Sequence, residues 1–363
     1  MESYRVAFIG AGGIARAHAF AMAALPYYYD GTPSLVREAV VSARPESRQR
    51  FAETYGFAEA LPLDALVSRD DIDTVFILGP NELHAAHLEQ TLKMKNLRCV
   101  YLEKPICASK QEEEHVARLE KNLLQGIYIQ AGFQFLQMSN VRRALRLWKE
   151  EDFGTPIHFQ ARYLHSGYLD SQYRKKRHSR LKPIPAGGAM ADLGSHALSF
   201  LVAFLGENLD VMAARQSGHF NDVPTGSDLC TTALIRDGKS GAHGTVGASR
   251  ISAGAGDQLE LEIMCTKCSL RLSTLRPDSL EFFPGKGSGE WHTLHCGNDF
   301  LPVTQFPARS VPAGWLRSLI HAHNLFFGGT DATAVIPDLK HGLAVQRLVR
   351  QTAERLMETE SRP

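Results

Sequence analysis

The stretch Val6-Ala7-Phe8-Ile9-Gly10-Ala11-Gly12-Gly13-Ile14-Ala15 constrains the chain more than any other. Its apolar run reads as a buried strand, its glycines as a tight turn, and the residues from Gly13 as the opening of a helix. Gly10 suits the sharp turn, Gly12 leaves room for a closely approaching ligand, and Ala15 is small enough for helix and strand to pack together. Main-chain N–H groups at Gly13 and Ile14 would face an anion, and a dinucleotide pyrophosphate fits that geometry. Glycine-rich strand-to-helix turns also occur for packing alone, so the ligand reading depends on the residues after Ala15.

Those residues alternate between strand and helix. Strands are expected at 36–42, 72–78, 99–102 and 127–133, and helices at 46–55 and after the capping box formed by Ser109 and Glu112. The first helix is expected to stop near Ala24, ahead of Pro26. This rhythm is that of a doubly wound parallel sheet, which makes residues 1–130 a Rossmann-type dinucleotide-binding domain of an α/β protein.

Ligands of such sheets bind at the carboxyl ends of the strands. The second strand ends in Ser42-Ala43-Arg44, without the acid that binds the adenosine ribose in NAD sites. A carboxylate would repel a 2′-phosphate, whereas Arg44 or Arg48 can pair with one, so charge favours NADP, with NAD the alternative. The next strand runs into Gly79-Pro80-Asn81, with His84 three residues on, placing these residues at the cofactor edge. His84 reads equally as a helix-face residue. Glu103-Lys104-Pro105 comes directly after a further strand. A lysine held there, its backbone restricted by the proline, can bind a hydroxyl or carbonyl oxygen. The plainer reading is a surface lysine in a turn.

From about residue 131 strands dominate, at 157–164, 211–217, 230–236, 242–249, 258–264 and 269–273. Close strands without intervening helices predict a second, α+β domain over 131–363, with a mainly antiparallel sheet and a C-terminal helix at about 338–357 packing back on the body. One helix interrupts the strands, 187–200, and its i, i+4 spacing brings Asp192 and His196 to one edge. A carboxylate beside an imidazole suits proton exchange near neutral pH. The same pair suits a cap, and a metal would need further ligands that the sequence does not supply, so no metal is expected. Cys265-Thr266-Lys267-Cys268 is a single CxxC without a second pair and reads as a hairpin turn. The basic run from Arg174 to Lys182 reads as a solvated surface, or as a contact for an acidic or phosphorylated substrate.

The net charge of +1 argues against a broad nucleic-acid or anionic-membrane surface, and no apolar run has the length of a membrane span. The start of the chain reads as a strand rather than a secretion signal. Six scattered cysteines do not make a disulfide framework, so the expected compartment is the cytoplasm.

Gly10-x-Gly12-x-x-Ala15, Pro80-Asn81-x-x-His84, Glu103-Lys104-Pro105 and Gly187-Gly188-…-Asp192-x-x-x-His196 occur in this order. Together they resemble the Gfo/Idh/MocA family, the glucose–fructose oxidoreductases and inositol dehydrogenases. The resemblance covers essentially the whole chain. It implies an N-terminal nucleotide domain, a C-terminal domain with a large open sheet, a homodimer or homotetramer, and NAD(P)-dependent oxidation or reduction of a sugar or cyclitol. Residue by residue, it implies that Lys104 polarises the reacting oxygen, His196 exchanges the proton, and Asp192 orients substrate or His196. Pro80 and Asn81 would line the nicotinamide side, with His84 and Glu103 among the cofactor contacts. Ser42 departs from the acid many members carry, and Leu136 stands where many have an arginine. Two other chemistries stay open on sequence alone: a glycoside hydrolase with a resident, self-regenerating nicotinamide, and a non-catalytic metabolite sensor.

Overall fold

A computed structural model of the chain describes residues 3–29, 31–123, 126–183, 187–285, 289–296, 313–331 and 334–360. The chain forms two compact units: residues 1–133 with 319–332 and 336–343, and residues 134–318 with 333–335 and 344–363. Two C-terminal stretches therefore group with the first unit, whereas the sequence pattern assigns everything after residue 130 to the second.

The first unit alternates β1 (Ser3–Ile9), α1 (Gly13–Tyr28), β2 (Ser34–Val41), α2 (Pro45–Tyr55), β3 (Glu59–Leu61), α3 (Leu63–Val67), β4 (Thr74–Ile77), α4 (His84–Thr91), β5 (Cys99–Leu102), α5 (Lys110–Lys121) and β6 (Tyr128–Ala131). The strands form one parallel sheet in the order β3-β2-β1-β4-β5-β6. β4 and β5 are buried at every position, the mark of a sheet covered on both faces. Phe76 and Tyr101 stack at 5.1 Å between ring centres on these neighbouring strands. Losing such a fully buried aromatic costs about 3–5 kcal/mol. The capping box forms: Ser109 accepts the Glu112 N–H, and the Glu112 carboxylate accepts the Ala108 N–H at 2.8 Å.

One helix end differs from expectation. α1 runs through Pro26 to Tyr28. A proline near a helix end removes only one hydrogen bond, and the turn still closes with the Tyr29 N–H on the Leu25 carbonyl at 3.0 Å. At the other end of α1, Gly10 has φ +130°, and a Cβ there would stand 2.6 Å from the Leu78 carbonyl carbon. Gly12 and Gly13 have nothing within 4 Å of an added Cβ.

The second unit holds α6 (Ser139–Glu150), β7 (Pro156–Leu164), α7 (Ser171–Lys176), α8 (Ser195–Leu205), β8 (Leu209–Gln216), β9 (Cys230–Asp237), β10 (His243–Ser249), β11 (Gln258–Cys265), β12 (Ser269–Ser273), β13 (Ser279–Phe283) and β14 (His292–His295). Its sheet runs β14-β13-β12-β11-β7-β10-β9-β8, antiparallel except for the β7–β10 pair. Leu259, Leu261 and Ile263 are buried while Glu260 and Glu262 lie on the other face, the alternation of a sheet covered on one side. α8 packs against β7, β10 and β11. Leu136, in a 3-10 turn before α6, is fully buried core. Cys265 and Cys268 close the β11–β12 hairpin through the Cys265 N–H on the Cys268 carbonyl, and burial pushes the Cys265 thiol up to about 12. β3, β13 and β14 are absent from the sequence expectation because they are short and weakly patterned. α9 (Ala313–Phe326) and α10 (Leu339–Glu360) complete the chain. Among the described residues no helix is long and apolar enough to cross a membrane.

Gly10→Ala is expected to destabilise the protein by about 3 kcal/mol, from the left-handed φ and the clash with the Leu78 backbone. Gly12→Ala is expected to leave the melting temperature unchanged. Thermal unfolding followed by circular dichroism checks both. Ser109→Ala is expected to cost about 1 kcal/mol by the same measurement.

Candidate active site

In the first unit, the turns after β1, β2, β4 and β5 leave the carboxyl ends of the parallel strands, and each carries residues the sequence singles out. At the first, α1 starts after Gly12 with no side-chain cap and no acidic residue in its first turn. Main-chain donors at Gly13 and Ile14 and the positive helix end therefore keep their capacity for an anion. The open space over Gly12 and Gly13, which a Cβ would enter, is the cradle a pyrophosphate needs. The residues present fit a dinucleotide.

At the end of β2, the Ser42 carbonyl accepts a hydrogen bond from Arg48 Nη1 at 3.0 Å. Arg48 is thus engaged with the turn itself. Arg44 is exposed at the N-cap of α2 and makes no ion pair among the described residues.

At the end of β4, Pro80 caps the short 3-10 turn Asn81–Leu83. His84 does not point to a ligand from this turn. Its ring is 1% exposed, with Nδ1 2.7 Å from the Pro105 carbonyl and Nε2 3.0 Å from the Gly79 carbonyl. Burial lowers its basicity, and a neutral ring donates from one nitrogen only. His84 therefore sits between the Gly79 and Pro105 carbonyls and donates to one of them. Its expected place among the cofactor contacts becomes one of supporting them.

At the end of β5, Lys104 is half-buried and Glu103 buried. Glu103 is likewise committed to the protein. Its Oε2 accepts the Lys104 amide N–H at 3.1 Å, and its Oε1 meets His18 Nε2 at 3.0 Å. His18 Nδ1 in turn meets His323 Nε2 at 2.7 Å. Gly132 leaves the room for this carboxylate, since a Cβ there would stand 2.9 Å from Glu103 Cδ. Sequence reasoning missed His18 and His323. The one available signal was a lone histidine on the buried side of an alanine-rich helix.

In the second unit, Asp192 and His196 lie on the segment the sequence identifies, but not on a plain α-helix. Met190–Gly194 is a π-helical turn leading into α8. π turns widen the ring of the helix and are frequent at functional sites. Asp228 pins this turn. Buried itself, it accepts the Met190 N–H at 2.8 Å and the Thr231 hydroxyl at 2.6 Å. Gly188 permits the approach, because a Cβ there would be 2.7 Å from Asp228 Cβ. Desolvation raises the Asp228 carboxyl above its ordinary range.

Asp192 pairs with two arginines, Arg250 Nη2 at 2.9 Å and Arg180 Nη1 at 3.5 Å. Arg250 is almost fully buried at the end of β10, lies over the Tyr168 ring, and also donates to the Arg180 carbonyl at 3.0 Å. No sequence pattern marked Arg250, because an arginine after a strand is ordinarily solvated. The His196 ring is buried, edge-on to Phe135 with ring centres 4.8 Å apart. These aromatic walls fix the imidazole in orientation.

The basic run divides. Arg174 is buried, bound to the Asp222 carboxylate and to the Tyr168 and Leu169 carbonyls, so it serves the fold. Arg180 serves Asp192, and Lys175 and Lys176 are exposed. Among the described residues no group of three or more His, Cys, Asp or Glu side chains is arranged to hold a metal ion.

The chain is similar to known proteins over most of its length. Levoglucosan dehydrogenase of Pseudarthrobacter phenanthrenivorans is 24% identical over 379 residues, covering 95% of this chain and 94% of that protein. Glucose-6-phosphate 3-dehydrogenase of Bacillus subtilis is 26% identical, over 54% of this chain and 52% of its own length. Among solved structures, levoglucosan dehydrogenase in complex with NADH and L-sorbose superposes with a TM-score of 0.81 at 22% identity, covering 99% of this chain and 98% of that one. UDP-N-acetylglucosamine 3-dehydrogenase of Acidithiobacillus ferrooxidans superposes with a TM-score of 0.71 at 16% identity, covering 99% of each chain. The model for the oxidoreductase family with an NAD-binding Rossmann fold matches residues 4–128, and the model for that family's C-terminal domain matches residues 141–271. With its nucleotide cradle, its Glu103-Lys104-Pro105 turn and its Asp192/His196 segment, the chain belongs to the Gfo/Idh/MocA family of NAD(P)-dependent oxidoreductases.

Proposed function

We propose that the chain is a sugar dehydrogenase that prefers NADP and oxidises a secondary hydroxyl, at carbon 3 of a pyranose. The observation that carries the reading is Lys104 at the carboxyl end of β5, its amide held by Glu103 and the adjoining Pro105 carbonyl packed against the buried His84 ring. When bound, the nicotinamide supplies the redox chemistry. Lys104 hydrogen-bonds the reacting oxygen and stabilises negative charge as it develops there. His196 takes the hydroxyl proton on oxidation and returns it on reduction. Asp192, braced by Arg250 and Arg180, orients substrate hydroxyls or His196.

Reaction at carbon 3 is supported by relatives whose names carry it: glucose-6-phosphate 3-dehydrogenase, UDP-N-acetylglucosamine 3-dehydrogenase and dTDP-3,4-didehydro-2,6-dideoxy-alpha-D-glucose 3-reductase. In the basic run Arg174 and Arg180 already bind protein carboxylates, which leaves the exposed Lys175 and Lys176 for an acidic or phosphorylated sugar. NADP is supported by Ser42 in place of an acid and by exposed Arg44, with Arg48 engaged on the Ser42 carbonyl.

Lys104→Met is expected to lower kcat by roughly 100-fold or more, and His196→Ala by about 100- to 10,000-fold, with the cofactor Kd unchanged. Steady-state kinetics on a panel of pyranoses, followed by nicotinamide absorbance, checks this. Full turnover in both variants would remove the two residues from the chemistry, and glycoside cleavage without net cofactor reduction would replace the reaction class. In titrations with NADPH and NADH, the wild-type chain should bind NADPH more tightly. Arg44→Ala should weaken NADPH by about tenfold and leave NADH unaffected. Equal affinities in the wild type would contradict the NADP preference.

A further inference from the structure

His18, His323 and Glu103 form a buried polar chain inside an aromatic shell. The two imidazoles are 0% exposed and Glu103 is 4% exposed. The His18 ring centre lies 4.9 Å from that of Tyr101 and 5.4 Å from that of Phe76, and the His323 ring centre lies 5.2 Å from that of Phe76. Hydrogen bonds in such a shell are strong, and errors in their donor–acceptor matching are costly.

One atom sets the direction of the chain. His323 Nδ1 is buried and has no hydrogen-bond partner among the described residues. A buried N–H without an acceptor is rarer in folded proteins than a buried acceptor without a donor, so the His323 proton sits on Nε2. His323 Nε2–H then donates to His18 Nδ1 at 2.7 Å, which must be bare. His18 therefore carries its proton on Nε2 and donates to Glu103 Oε1 at 3.0 Å. The other oxygen, Oε2, accepts the Lys104 amide N–H. Both Glu103 oxygens accept, the pattern of a carboxylate. Run the other way, the chain would leave a proton on His323 Nδ1 with nothing to receive it. A charged His323 ring is opposed by its burial, which pushes its basicity well below the ordinary value.

We propose that His323, His18 and Glu103 act as a one-directional hydrogen-bond relay that holds Glu103 as a fixed carboxylate against the Lys104 amide, making His18 and His323 positioning residues for Lys104. The relay couples three elements: α1, which starts at the glycine turn; β5, which leads into Glu103; and α9, from which His323 projects. Its kinetic consequence rests on the reading that Lys104 binds the reacting oxygen, and its protonation pattern does not.

The test has two parts on the full-length protein. Selective 15N-histidine labelling reads the tautomers directly, and His18→Gln and His323→Gln assign the signals. Both rings should be neutral and protonated on Nε2 in the wild type. A charged ring, or a proton on Nδ1 of either, overturns the relay. In the second part, His323→Leu removes the donor and His323→Gln restores an amide N–H at the Nε2 position. His323→Leu should lose about 10- to 100-fold in kcat with NADPH affinity unchanged, and His323→Gln should recover most of it. Wild-type kcat in His323→Leu, or a folded His323→Gln no better than His323→Leu, overturns the positioning role. Should His323→Leu fail to fold, the wild-type tautomers still decide the relay. Failure of the underlying reading is separate: Lys104→Met would then turn over normally while the tautomers remain as described.

Discussion

A carboxylate buried at the end of a parallel strand must find donors for both of its oxygens, and much of the first unit is arranged to supply them. Glu103 takes one from His18, on the helix that begins at the glycine turn, and one from the amide of Lys104. Gly132 gives it space, and His323 completes the donor line behind His18. The two sequence motifs at the ligand edge, the glycine turn and the Glu-Lys-Pro turn, are thereby coupled through one buried group. His84 is buried between the neighbouring Gly79 and Pro105 turns and donates to one of their carbonyls. The proposed role of Lys104 gains from such a hold, because small misplacements of a catalytic group cost large factors in rate.

The second unit solves a similar problem with different parts. A π turn sets Asp192 and His196 apart from ordinary helical spacing, and a buried aspartate, Asp228, holds that turn at its first residue. Two arginines brace Asp192, one of them buried against an aromatic ring, while Phe135 and Tyr163 wall in His196. Each candidate catalytic group thus rests on neighbouring side chains of the protein. Their loss should be felt in turnover before it is felt in cofactor affinity.

The Rossmann sheet was legible because its signals are local: apolar runs, glycine turns and a capping box each depend on neighbours in sequence. Six strands of the second sheet, β7 to β12, were legible for the same reason, through their alternation of more and less buried positions. The candidate residues Lys104, Asp192 and His196 were legible from motif spacing. Their supports were not. His323 reaches His18 across 305 residues of sequence, and Arg250 reaches Asp192 across 58. Pairings of that range depend on how strands and helices are brought together, which residue types alone do not encode. The π turn was illegible because it differs from an α-helix by one residue per ring, below what apolar spacing resolves. Pro26 misled because a proline ends a helix only where the lost bond cannot be spared.

The central claim is that this chain moves a hydride between a sugar carbon and a nicotinamide. It is tested most directly by turnover of a pyranose carrying deuterium at carbon 3, with the cofactor recovered and analysed by mass spectrometry and NMR. The account predicts one deuterium at the nicotinamide C4 per sugar oxidised, and a ketone at carbon 3 of the product. Turnover that leaves the cofactor free of deuterium, or a product altered only at its glycosidic bond, would contradict it.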